Sequence, residues 1–126
     1  MIIYITAFAM LILTSMQSLA HEMTPTYPEL RPSYVDGLYS TKMKLFNRRD
    51  DVLYYDIGVF DKDWNPIYFV ADYKVIRLKY LSSASIDVYI ARENKDRVEY
   101  ICSRSKIRKD NNTRPAVTSR ICSRFK

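Results

Sequence analysis

The chain has 126 residues, the length of one ordinary domain, and its 20 basic against 14 acidic residues give a formal net charge of +6. Hydrophobic residues make up 48% and aromatic residues 13%, which excludes a disordered chain, while two glycines exclude glycine-rich and collagen-like repeats. One histidine and two cysteines leave too little material for a hydrolytic triad or a zinc centre. We therefore expect no enzyme, no metal and no cofactor.

The first twenty residues carry no charged side chain and contain an apolar run from Ile2 to Leu13. Ser18 and Ala20 are small, as signal peptidase requires at the two positions it inspects. We predict a signal peptide over residues 1–20 and one exported domain over 21–126, located in the periplasm or secreted. The alternative is an uncleaved membrane anchor, because the apolar stretch approaches spanning length.

The remaining chain alternates apolar and polar residues with period two, which predicts strands with one buried face. Polar turns separate these segments, and the sequence contains no convincing amphipathic helix. About seven short strands at close spacing indicate an antiparallel β-sandwich, with a small barrel as the alternative. The predicted strands are Tyr39–Leu45, Val52–Phe60, Ile67–Ala71, Lys74–Leu81, Ile86–Ala91, Arg97–Ser103 and Val117–Phe125.

One polar turn between predicted strands imitates a metal-binding loop. Asp61, Asp63 and Asn65 have the spacing of the first calcium ligands, but Pro66 occupies the position that needs glycine. We interpret this segment as a β-turn, because Asp and Asn initiate such turns. Trp64 within it either folds onto the sheet or stands exposed as a contact residue.

The two cysteines fall in the last thirty residues. In an exported domain two cysteines indicate one disulfide, here Cys102–Cys122, the alternative being two free buried thiols. The short sequence that begins at Ile101 recurs at Ile121, twenty residues later. Two neighbouring antiparallel strands joined by the disulfide would explain this repetition. Arg104 would then lie near the basic residues of the last strand.

Two segments of the chain resemble a known family. Arg31, Tyr34, Gly37 and Asn47 have the spacing found at the start of PapD-like periplasmic pilus chaperones, in their first domain. The segment Val117–Phe125 resembles the last strand of that domain. One subgroup of these chaperones has a long loop between its last two strands and a disulfide that joins them, which matches the two cysteines here. The resemblance covers roughly residues 23–126.

This resemblance implies an immunoglobulin-like sandwich that binds a partner protein by pairing an edge strand with an extended segment. In the family, an arginine at the start and a lysine in the last strand hold the carboxylate of a pilus subunit. Arg31 matches the first, and Arg124 falls near the place of the second, where no lysine stands. Val117 and Ile121 would be the apolar residues of the binding strand, with Ser119 between them.

The charge of the chain is concentrated at its end, because residues 97–126 hold nine basic and two acidic side chains. The interpretation we favour is a charged rim beside a protein-binding strand. Two alternatives are a structural or decorating module of a pilus or virion, and a secreted binder of polyanions. The basic patch comprises Arg104, Lys106, Arg108, Lys109 and Arg120.

Overall fold

The computed structural model describes residues 20–106 and 118–126, and this part of the chain is built from strands with one turn of 3-10 helix, Arg92–Asn94. The strands are β1 (Glu22–Thr24), β2 (Arg31–Pro32), β3 (Leu38–Phe46), β4 (Tyr54–Phe60), β5 (Val70–Ala71), β6 (Val75–Arg77), β7 (Ser83–Ala91), β8 (Tyr100–Ser105) and β9 (Arg120–Arg124).

The strands form two antiparallel sheets. The first has the order β1-β3-β7-β5, with β2 also paired to β3, and the second has the order β6-β4-β8-β9. Two separate sheets that share one core confirm the predicted immunoglobulin-like β-sandwich rather than a barrel. Nine strands occur in the described part instead of about seven, because the segment before β3, for which no strand is predicted, pairs with β3 in two short pieces, β1 and β2.

Alternation along the long strands places every second residue in the core, as predicted. Full burial of each such aliphatic side chain stabilises the fold by about 1.5–3 kcal/mol. A slip by one residue would expose the whole set, so the pattern also fixes the register. The buried residues from the long strands include Met43, Leu45, Tyr55, Ile57, Val59, Ile86, Val88, Ile90 and Ile101.

Asn47 closes one end of the sandwich from inside. Its side-chain nitrogen donates to the carbonyl oxygens of Val52 and Leu78, both at 2.8 Å, and its oxygen accepts from the Arg49 amide and the Tyr55 hydroxyl. Asn47 follows β3 in one sheet, whereas these partners flank or belong to strands of the other. The segment predicted as a solvated polar turn therefore starts with a fully buried residue.

The chain between β4 and β7 changes sheets twice. It forms a bridge to β4 at Pro66, pairs with β7 through β5, and returns to β4 through β6. The predicted strand Lys74–Leu81 is therefore mostly wrong, because only its first part pairs. A turn ends it, in which the Ser82 amide donates to the Lys79 carbonyl and Leu81 adopts a φ of 58°.

Within residues 20–106 and 118–126, no helix has the length and apolar character needed to cross a membrane. Apart from Ala20, the predicted signal peptide lies outside the described residues. The alternative of an uncleaved membrane anchor concerns the same residues.

Candidate functional site

The last strand, β9, is an edge strand of the second sheet, because β8 is the strand it pairs with in that sheet. At its two ends the Phe125 amide donates to Glu99 and the Ser105 amide donates to the Ser119 carbonyl. Hydrogen-bonded pairs alternate along an antiparallel ladder, so the backbone groups of Arg120 and Cys122 point away from β8.

The far end of this outer edge is already occupied by the N-terminal segment. The Arg124 amide donates to the Thr26 carbonyl at 3.1 Å, and the Lys126 amide donates to the Pro28 carbonyl at 3.0 Å. The segment that carries Thr26 and Pro28 thus lies parallel to β9 and bridges the two sheets. Among the described residues, the open part of the edge is therefore limited to Arg120 and Cys122.

The inner face of β9 is less apolar than a sandwich core normally requires. Ser119 and Ser123 alternate with Ile121 and Phe125 on this face, as the sequence predicts, and Ser123 is buried with its hydroxyl unpaired in the described part of the structure. Apolar burial on this face is therefore limited to Ile121 and Phe125, and covalent and polar contacts add to what holds β9.

The first of these polar contacts comes from His21, which is 1% exposed. Its Nε2 lies 2.7 Å from the Ser103 hydroxyl, its Nδ1 lies 3.1 Å from the Ser119 hydroxyl, and its ring contacts the Tyr55 ring at 4.6 Å. Burial lowers the pKa of His21 below its ordinary value, because a charged imidazole would lose its hydration, and the Arg49 guanidinium acts in the same direction. His21 therefore ties the segment before β1 to both β8 and the start of β9.

The second contact is the predicted disulfide, which is confirmed. Cys102 and Cys122 lie directly opposite each other in β8 and β9, with Cα atoms 4.1 Å apart, and no cysteine is free. Both side chains lie on the outer face of the second sheet, opposite the core. The short sequence repeated at Ile101 and Ile121 predicts two neighbouring strands, and these are β8 and β9, which pair directly. Arg104 pairs in register with Arg120.

An aromatic cluster covers the disulfide from outside. Trp64 stacks on Tyr100 with ring centroids 4.2 Å apart, and the Arg120 guanidinium lies 4.9 Å from the Phe60 ring and 4.8 Å from the Trp64 ring. The same guanidinium reaches to 3.7 Å from the Cys102 sulfur. Trp64 thus folds onto the sheet while keeping 46% of its surface exposed.

The basic residues of the second sheet are largely paired with acids. Arg104 lies 2.9 Å from the Asp56 carboxylate and Lys106 lies 4.0 Å from it, while Arg124 lies 2.7 Å from Glu99. These contacts neutralise part of the patch that the charge count predicts. Arg108 and Lys109 lie outside the described residues, as does Val117 of the predicted binding strand.

The structure places Arg31 and Arg124 in two neighbouring depressions. Arg31, on β2, is exposed and lies 3.6 Å from the Glu29 carboxylate. Each depression is lined by one of the two arginines, and Glu29 and Lys126 line both. From the sequence, Lys126 counts only as one of the basic residues of the C-terminal segment, and its place beside this arginine pair was not predicted. The signal available was the alternation of basic residues at Arg120, Arg124 and Lys126.

Comparison of the sequence with known proteins finds no matching family model and no matching curated protein. Comparison of the structure finds solved structures of chaperones. The E. coli chaperone DraB is 14% identical, with a TM-score of 0.64 over 85% of this chain and 54% of that chain.

The SafB chaperone of Salmonella enterica, solved in complex with the SafA pilin, yields a match that is 9% identical, with a TM-score of 0.64 over 88% of this chain and 55% of that chain. The periplasmic chaperone SfaE is 12% identical, with a TM-score of 0.53 over 84% of this chain and 57% of that chain. The chain therefore has the fold of these chaperones and spans little more than half of their length.

Proposed function

We propose that this chain is a non-enzymatic, exported domain that binds a pilin-like subunit by pairing β9 with an extended segment of that subunit. The observation that carries the proposal is the open backbone of Arg120 and Cys122 on an edge strand, in a fold shared with periplasmic pilus chaperones. Unpaired main-chain groups on a sheet edge are the feature by which strand addition recognises a partner. The periplasm is the location that fits these structural neighbours and the disulfide.

The side chains around the edge give the proposed contact its chemistry. Ile121 supplies an apolar residue next to the open backbone. Arg31, Arg124 and Lys126 supply positive charge near the occupied end of β9. Arginine binds a carboxylate with two parallel hydrogen bonds, so either arginine is suited to hold the carboxylate of a partner chain.

The experiment is co-expression of the full chain in the E. coli periplasm with a candidate pilin-like subunit. We expect a one-to-one complex after purification. Arg31→Ala should weaken this complex by about fivefold, the effect of losing one exposed ion pair. Arg48→Ala is the matched control, because Arg48 is likewise an exposed arginine paired with a glutamate, Glu22.

Three results would overturn the proposal. Equal weakening of the complex by Arg31→Ala and Arg48→Ala would show that Arg31 has no specific role in holding the carboxylate of the partner. Recovery of the chain at fixed stoichiometry in purified surface particles would make it a structural module instead. Salt-dependent retention on heparin without any subunit complex would favour the polyanion alternative, for which the structural neighbours provide no support.

A further inference from the structure

A second open sheet edge lies on the opposite side of the sandwich from β9. There β5 pairs with β7 at Val88 and Tyr89 only, so residues 83–86 of β7 have no strand beside them on that side in the described structure. The Asn47 amide donates to Ser82 and the Arg92 amide donates to Gly37, at the two ends of the pairing between β3 and β7.

Those two flanking bonds fix which backbone groups of β7 are free. Alternation along the ladder directs the amide and carbonyl groups of Ser83, Ser85 and Asp87 away from β3. Ser83 and Ser85 have no backbone hydrogen-bond partner on this side in the part of the chain that the structure describes, and Asp87 lies level with Asp72 just after β5. The stretch is long enough to pair with a short additional strand that would continue the line of β5.

The edge of the other sheet faces the same gap. The Ile57 amide donates to Lys74 and the Leu78 amide donates to Leu53, so the backbone of Val75 in β6 points away from β4. Between the two edges lies a cavity of about 500 Å³. Its lining is mainly apolar and comprises Tyr54, Tyr73, Val75, Ile76, Ala84 and Ile86, together with Asp72, Arg77 and Ser85.

The two charged residues of this lining mark opposite ends of the groove. Asp72 directly follows β5 and lies level with Asp87, because Ala71 pairs with Val88. Arg77 ends β6 at the other end, where Asn47 holds the carbonyl of the next residue beside the start of β7. Neither Asp72 nor Arg77 has an ion-pair partner among residues 20–106 and 118–126.

We propose that this groove binds an extended segment of a partner protein, which adds antiparallel to β7 and inserts an apolar side chain between the sheets. Charge complementarity determines the order of residues in the bound segment. A basic residue lies near Asp72, a large apolar residue lies in the middle, and an acidic residue lies near Arg77. Free backbone on both edges supplies affinity, and the cavity and its two charges supply specificity. This surface is separate from β9 and does not depend on the function proposed above.

The test uses a capped pentapeptide, Lys-Thr-Phe-Thr-Glu, added at millimolar concentration to the isotope-labelled domain. We expect amide chemical-shift changes, and slower hydrogen exchange, at Ser83, Ser85 and Asp87. Arg77→Glu should weaken binding about fivefold, and the peptide Lys-Thr-Phe-Thr-Lys should restore it to this variant. Arg97→Glu is the matched control, because Arg97 is an exposed arginine outside the groove.

Binding that does not respond to the charge exchange would overturn the proposal, as would shifts confined to Arg120 and Cys122 or no shifts at all. A dimer that forms without peptide and protects the amides of β7 would replace the separate partner by a second copy. Because the readout lies on β7, failure here leaves the role of β9 untouched, and failure of the subunit complex leaves this groove untouched.

Discussion

His21 shows how much one buried polar residue contributes to this sandwich. Its neutral ring bonds to Ser103 and Ser119, and burial keeps the pKa below its value in the unfolded chain. The unfolded state therefore binds more protons than the folded state as the pH falls. This linkage makes stability highest above the ordinary histidine pKa, and stability declines as the pH falls from about 6.5 towards the lowered pKa of the folded state.

We predict that His21→Ala lowers the free energy of unfolding at pH 7.5 by about 1–3 kcal/mol, because it leaves buried hydroxyl groups without partners. The difference between wild type and variant should shrink as the pH is lowered from 7.5 to 5. Urea unfolding at several pH values measures both effects. An unchanged difference across this range would show that the ring does not remain neutral in the fold.

The sequence could not indicate the role of His21. A lone histidine just after a predicted cleavage site has the appearance of an exposed chain end, and its partners lie 82 and 98 residues away. Asn47 presents the same difficulty, because a polar residue in a polar turn gives no local sign of burial. Hydrogen bonds between distant segments depend on the folded geometry, which alternation does not encode.

Among the elements, the long strands were predictable and the short ones were not. β3, β4 and β7 bury every second residue, so period two identifies them directly. β5 and β6 pair over only two and three residues, where the crossover between sheets decides the conformation more than the side chains do. The pairing of β8 with β9 was predictable because the cysteines and the repeated short sequence specify it.

The disulfide is the main restraint on β9. We predict that the double variant Cys102→Ala and Cys122→Ala loses about 3 kcal/mol of unfolding free energy, the chain-entropy value for a loop of this length. Denaturant unfolding of both proteins measures the loss. Wild type unfolded in the presence of a reductant should match the variant, and a loss below about 1 kcal/mol would contradict the entropic account.

For the whole molecule, Asn47 joins the two sheets at one end. We predict that Asn47→Ala costs about 3–5 kcal/mol, because the carbonyls of Val52 and Leu78 and the Arg49 amide all lose a buried partner. Tyr55→Phe is the control, since it removes only one donor to Asn47 and should cost about 1 kcal/mol.

Thermal and denaturant unfolding of both variants measure this prediction. A domain of this size has a total stability of about 5–15 kcal/mol, so Asn47→Ala should remove a large part of it. Equal losses of unfolding free energy in Asn47→Ala and Tyr55→Phe would show that the Asn47 side chain is not a major link between the two sheets.

The predicted carboxylate anchor, Arg31 with Arg124, shows what short sequence motifs cannot predict for the whole molecule. Arg31 and Arg124 are far apart in sequence, and the resemblance predicts that they act together. The structure places them in adjacent depressions, each arginine beside its own glutamate, with Lys126 lining both. Side-chain pairing on a surface follows from local charge neighbours, which a match of short motifs cannot specify.

The contact between the N-terminal segment and β9 has a kinetic consequence. His21 meets Ser119 across 98 residues, and Arg124 bonds to Thr26 across a similar distance. Contacts between distant segments are costly in loop-closure entropy and slow the folding of all-β domains. This N-terminal contact with β9 should therefore be among the last parts to form and the first to open, so that its amides exchange with solvent before the amides that β3 and β7 hydrogen-bond to each other.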